Sequence, residues 1–172
     1  MAVNPKEITQ RNFVSIKING KSFFGDPSET ILQISKRNGI EIPHLCYKEG
    51  MRPDGNCRAC MVEIDGERVL QPSCVRTISD GMIINTDSSR VKNSQKVVLE
   101  LLSSDVSEKV YKKESELTDW ANKLEIKKNR FPSNIQEKHD LTHPAIAVNL
   151  DACIQCTRCV RACREEQVND VI

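Results

Sequence analysis

Eight cysteines fall in two tight groups along the 172-residue chain, and no other feature restricts its folding as much. Cys46, Cys57, Cys60 and Cys74 give the spacing C-x10-C-x2-C-x13-C, while Cys153, Cys156, Cys159 and Cys163 give C-x2-C-x2-C-x3-C. The 78 residues between the groups hold no cysteine. The opening stretch, MAVNPKEITQRNF, lacks the apolar core of an export signal, so the expectation is a cytoplasmic chain with reduced thiols. Closely spaced reduced thiols read as metal or redox sites rather than as a disulfide framework.

Composition narrows the class further. The chain is 38% apolar and 28% charged but only 4% aromatic, enough for a modest core to which bound inorganic groups would add folding energy. A formal net charge of +1 argues against nucleic acid as a partner, because a phosphate-binding surface carries a basic excess. No apolar run approaches the roughly 20 residues needed to span a membrane.

The order of elements predicts an α+β unit. Phe13–Ile18 alternates apolar and polar residues, Asn19-Gly20 follows, and Lys21–Phe24 returns, which is a strong short-range hairpin signal. Ser28 is placed to cap a helix over about Thr30–Asn38, with Glu29 in its first turn and Gly39 as its stop. Pro43 then opens an irregular stretch holding Cys46, Cys57 and Cys60. Met61–Ile64 resumes a strand, Asp65-Gly66 turns it and Arg68–Leu70 returns. Gly81–Thr86 reads as a last strand, and Val91, Gln95, Val98, Leu101 and Leu102 mark an amphipathic helix from about Ser88. Hairpin, helix, cysteine loop, hairpin and strand is the order of a β-grasp sheet carrying a cluster loop.

Beyond it the character changes. From Ser103 to His143, 16 of 41 residues are charged. One short helix, Ser115–Leu124, can present Leu117, Trp120, Ala121 and Leu124 to a surface, with Trp120 as its anchor, and the rest reads as linker. Pro144–Val148 reads as a short strand. The expected organisation is residues 12–103 as a [2Fe–2S] ferredoxin-type β-grasp domain, 104–143 as a polar linker with a short helix, and 144–172 as an incomplete [4Fe–4S] ferredoxin-type segment.

The chemistry behind those assignments lies in the spacings. A [2Fe–2S] rhomb takes two thiolates on each iron, all reaching inward from a tight loop, and Cys46, Cys57, Cys60 and Cys74 supply four. Gly50, Gly55 and Gly66 ease the backbone there, and its N–H groups can bond to sulfide. Arg58 has two readings, as an offset to thiolate charge or as a solvent-facing side chain. His44 reads as a hydrogen-bonding or loop-packing residue rather than a ligand. Structural zinc usually takes two close cysteine pairs, and only Cys57 and Cys60 form one in this group. In the second group the thiolates of Cys153, Cys156 and Cys159 reach three corners of a [4Fe–4S] cube. Cys163 serves either the same cube or a second one. Arg164 replaces the usual proline, and no second cysteine motif follows. The expectation is therefore a fragment, or an early-terminating reading frame, of a longer protein, in which residues 144–172 do not hold a stable cubane by themselves.

The long loop between Cys46 and Cys57 resembles the [2Fe–2S] domain of respiratory NADH dehydrogenase large subunits, NAD-linked hydrogenases and NAD-dependent formate dehydrogenases. Asp151–Ile172, with His143–Leu150 before it, resembles the first half of the two-cubane domain in the α subunit of NAD-dependent, molybdenum-containing formate dehydrogenases. That resemblance implies an electron relay between a formate-oxidising molybdopterin domain or subunit and a flavin- and NAD-binding partner. Relatives among NADH dehydrogenases and iron hydrogenases usually carry a His-x3-Cys-x2-Cys-x5-Cys pattern in between. Residues 104–142 contain no cysteine, which favours the formate dehydrogenase lineage and predicts no cluster there. No nucleophile–base pairing or phosphate-cradling loop is legible, so no catalytic residue is expected in the chain. Two other readings remain, a zinc-stabilised interaction module and a redox or iron sensor.

Overall fold

Alternation along Val14–Ile18 (β1) puts Ile16 and Ile18 on one face, and both are buried. The chain is described by a computed structural model covering residues 13–106, 115–126, 130–133 and 139–169. The expected domain start at residue 12 and parts of the expected 104–143 and 144–172 segments lie outside the described residues.

The chain packs as two units, one of Met1–Ile42 and Cys60–Val91, the other of Pro43–Ala59 and Lys92–Ile172. In the first unit, β1 turns through Asn19-Gly20, both at positive φ, into β2 (Lys21–Gly25). The remaining strands are β3 (Met61–Ile64), β4 (Gln71–Pro72) and β5 (Ile83–Asn85). They form one mixed sheet of order β2-β1-β5-β3-β4, in which β1 pairs antiparallel with β2 and parallel with β5. Helix α1 (Ile31–Arg37) buries Ile31, Leu32, Ile34 and Ser35 in the same unit. The expected α+β class is found in this sheet and helix.

Several elements differ from the sequence expectation in their ends. The N-cap of α1 is Thr30, not Ser28. Thr30 Oγ1 accepts from the Gln33 N–H while the Gln33 side chain accepts from the Thr30 N–H, a capping box. Ser28 instead donates to Asp26 at 2.6 Å, and Glu29 precedes the helix, paired with Arg37 at 3.0 Å. The strand expected at Arg68–Leu70 forms at Gln71–Pro72 instead. Pro72 has no N–H, so the ladder stops there.

In the second unit the long helix α2 (Ser89–Ser104), which starts in the first, is followed by α3 (Glu116–Lys123), close to the expected spans. Leu99, unremarked in the sequence pattern, is fully buried, whereas Leu101 is 44% exposed. Leu45, Cys46, Cys57, Ala59, Leu99 and Leu117 form this unit's core, with Trp120 and Leu124 packed against it. Trp120 thus anchors α3 as expected. The strand expected at Pro144–Val148 is reduced to one bridge, Asp140 to Val148. A short 3-10 turn, Leu150–Ala152, leads to α4 (Arg158–Arg161), which widens into a π-helical turn over Ala162–Glu166.

Candidate metal centres

Cys46 and Cys57 lie in the irregular loop of the second unit, where no sheet or helix competes for the backbone N–H groups. The Cys46 N–H points at Cys57 Sγ, 3.4 Å away, and the Cys57 N–H points back at Cys46 Sγ, 3.5 Å away. Both thiols are buried. The hydrogen bond between the two side chains, together with burial, pushes the Cys57 thiol far above its ordinary range. A buried thiolate pair therefore needs a cationic partner to exist, and N–H donors aimed at sulfur are what a thiolate–iron bond is tuned by.

Cys60 and Cys74 belong to the first unit and are 1% and 0% exposed. Cys60 precedes β3 and Cys74 follows β4, so the β3–β4 pairing carries them on adjacent strand ends. The Ser73 N–H closes that pair by donating to the Cys60 carbonyl at 3.0 Å. The Ser73 hydroxyl, one residue before Cys74, is buried with no hydrogen-bond partner among the described residues. Such an orphaned donor suits a sulfur-rich group as acceptor. Sequence reasoning passed over Ser73, since a serine carries no signal until its burial is known.

Arg58, between Cys57 and Ala59, takes a left-handed φ of 59° and is exposed, so of its two readings the solvent-facing one holds. The His44 ring lies 5.8 Å from that of Tyr47 and 6.0 Å from that of Trp120, a packing role as expected.

The second cysteine group sits in a different setting. Cys153, Cys156 and Cys163 are half-buried and Cys159 is exposed. Gln155 and Thr157, on either side of Cys156, both adopt positive φ. The Gln155 N–H approaches Cys153 Sγ at 3.4 Å, the kind of backbone donor that such reversals offer to anionic groups. Cys159 and Cys163 follow one turn apart along α4 and its π turn. Ile154 and Cys156 pack against the core that contains Cys46 and Cys57.

Polar contacts tie this segment to the first cysteine loop within the second unit. Asn56 donates to the Gln155 carbonyl at 2.7 Å, Thr157 to Asp54 at 2.8 Å, and Arg52 pairs with Glu165 at 2.8 Å. Arg158 donates to the Tyr47 carbonyl at 2.7 Å and pairs with Glu116. Arg161 donates to the carbonyls of Cys46 and Arg52.

None of the eight cysteines is half of a disulfide. Among the described residues no group of three or more His, Cys, Asp or Glu side chains is arranged to hold a single metal ion. No helix among them is long and apolar enough to cross a membrane.

Residues 11–89 match a family model described as a 2Fe-2S iron-sulfur cluster binding domain. An NADH-quinone oxidoreductase subunit from Rhizobium meliloti (strain 1021) is 33% identical over 161 residues, 88% of this chain and 19% of that protein. The NADP-reducing hydrogenase subunit HndD of Solidesulfovibrio fructosivorans is 33% identical over 172 residues, 94% of this chain and 29% of its own length. The chain thus spans less than a third of either relative. Among solved structures, a chain of an NAD+-reducing [NiFe]-hydrogenase in the H2-reduced state superposes with a TM-score of 0.81 at 26% identity. That match covers 91% of this chain and 68% of the other.

Proposed function

We propose that this chain, whose residues 11–89 match a model of a 2Fe-2S iron-sulfur cluster binding domain, is the electron-relay segment of a larger, multisubunit oxidoreductase. Cys46, Cys57, Cys60 and Cys74 hold its [2Fe–2S] cluster. Cys153, Cys156 and Cys159 are ligands to a [4Fe–4S] cluster, and Cys163 ligates the same cube or a second one. The observation that carries the reading is the buried Cys46–Cys57 pair, each sulfur facing the other residue's N–H.

The cluster, when bound, accepts and returns single electrons. The chain's own residues set the conditions for that exchange. Buried ligands exclude water, and N–H groups aimed at sulfur stabilise the more reduced form. No residue in the chain makes or breaks a substrate bond. Residues 12–103, 104–143 and 144–172 then act as cluster domain, linker and second cluster segment. The partners are a flavin- and NAD-binding subunit on one side and a formate-oxidising molybdopterin domain or subunit on the other. The cysteine-free stretch 104–142 and the sequence of Asp151–Ile172 support formate as the parent substrate. The relay operates in the cytoplasm on this reading.

Anaerobic purification with iron, sulfide and zinc counted, followed by EPR after dithionite reduction, tests the proposal. About two irons and two sulfides per chain, with a rhombic EPR signal altered by Cys57→Ser, are expected for one [2Fe–2S] cluster. A colourless, EPR-silent protein with stoichiometric zinc would leave an interaction module instead. About four further irons per chain would show that residues 144–172 load a cubane unaided.

A further inference from the structure

The guanidinium of Arg161 is the one cationic group on the second cysteine segment that is fully buried, at 4% exposure. Its hydrogen bonds are all to neutral oxygens. Nε donates to Thr157 Oγ1 at 3.2 Å, and the two terminal nitrogens donate to the carbonyls of Arg52 and Cys46. Among the described residues no carboxylate lies within ion-pairing distance of it. Its neighbour Arg158 is paired with Glu116, and Arg52 with Glu165.

A buried cation without a counter-charge is costly, and such groups are normally paired or placed against a bound ion. Arginine keeps its proton under all ordinary conditions, so the charge cannot be shed. The carbonyl it grips belongs to Cys46, one of the proposed ligands. A four-thiolate [2Fe–2S] cluster is a net anion in either redox state. We propose that Arg161, carried by the second cysteine segment, is the buried counter-charge of the first cluster and holds its reduction potential up.

This inference rests on the relay reading and extends it. Reduction adds one negative charge to the cluster, so a fixed nearby cation favours the reduced form. Arg161 does so from between Cys159 and Cys163, which makes the second segment part of the electrostatic shell of the first. It is a positioning residue rather than a ligand.

The test is an EPR-monitored redox titration of the full chain after anaerobic reconstitution, for wild type, Arg161→Gln, Arg161→Lys and Arg158→Gln. Arg161→Gln should disfavour reduction about tenfold, a midpoint lower by about 59 mV for one electron. Arg161→Lys should restore most of that shift, because the charge returns without the planar fork. Arg158→Gln removes a cation already neutralised by Glu116, and its midpoint should stay within about threefold of wild type. An Arg161→Gln protein with its cluster intact and an unchanged midpoint overturns the proposal, as does an equal shift in all three variants. If Arg161→Gln retains no cluster, Arg161→Lys decides. A midpoint within about threefold of wild type there carries the proposal, and one lowered about tenfold or a lost cluster overturns it. A wild type without any [2Fe–2S] signal removes the relay reading itself and this inference with it, whereas a failed shift leaves the relay reading standing.

Discussion

Asn19 and Thr86 bond to each other twice across 67 residues of sequence. The Asn19 side chain donates to Thr86 Oγ1 at 2.7 Å and accepts from the Thr86 N–H at 2.9 Å. Asn19 also holds φ at 50°, a left-handed conformation that Asn tolerates better than most residues. The hairpin tip is therefore fastened to the chain just beyond β5. Asn19→Ala breaks both bonds and strains the turn, and should lower stability by about 1–3 kcal/mol in urea unfolding. An unchanged midpoint would show that the tip contributes nothing beyond Gly20.

Gly25 ends β2 where three side chains converge. A methyl group there would lie 2.7 Å from Ile34 Cδ1, 2.7 Å from Ile78 Cδ1 and 2.8 Å from Glu29 Oε2. Gly25→Ala should destabilise the chain by about 1–3 kcal/mol through overpacking. Thermal unfolding checks this, and a raised midpoint would mean that α1 moves away at little cost.

Leu99 is fully buried in the core that also contains Cys46 and Cys57. Leu99→Ala should cost roughly 2–5 kcal/mol, because it removes buried methyl groups and leaves a cavity. Trp120, the chain's single tryptophan, packs against the same cluster and reports the loosening. Its fluorescence should shift to the red in Leu99→Ala and stay put in Leu101→Ala, whose side chain is exposed.

Asp140 accepts from both the hydroxyl of Thr142 at 2.7 Å and its N–H at 3.0 Å. The hydroxyl bond first, then the backbone bond, holds the Asp140 carboxyl below its ordinary value of 3.8. A carboxyl depressed in the folded state stabilises the turn above the unfolded value and loses that contribution as pH falls through the folded one. NMR titration of the Asp140 carboxyl should give a midpoint under 3.8, and Thr142→Val should raise it. No rise in that variant would place the cause elsewhere.

The local features were legible because local rules decide them. Asn19-Gly20 demanded a tight turn, the alternation in Val14–Ile18 demanded a half-buried strand, and the cysteine spacing marked both thiol groups. The cap of α1 was legible in principle as Thr30-x-x-Gln33, but Ser28 satisfied the same N-cap preference two residues earlier. The phase of α2 was harder. Leu99 and Leu101 are equally apolar, and only packing against Leu117 and Leu45 separates them. Pro144–Val148 has strand-forming residues but pairs only at Val148, and propensity without a partner makes no sheet. Least legible was the grip of Arg161 on the Cys46 carbonyl, which joins residues 115 apart. A sequence shows Arg161 as one of 25 basic residues and gives no sign that it is buried beside the cysteine loop.

β5 lies between β1 and β3, yet it is the last of the five strands in chain order. A ribosome delivers the chain from its N-terminus, so Cys60 and Cys74 emerge before the strand that completes the sheet. Until Asn85 has cleared the exit tunnel, the slot beside β1 stays unfilled. Synthesis order thus differs from spatial order here: the strand at the centre of the sheet is the last of the five to be made.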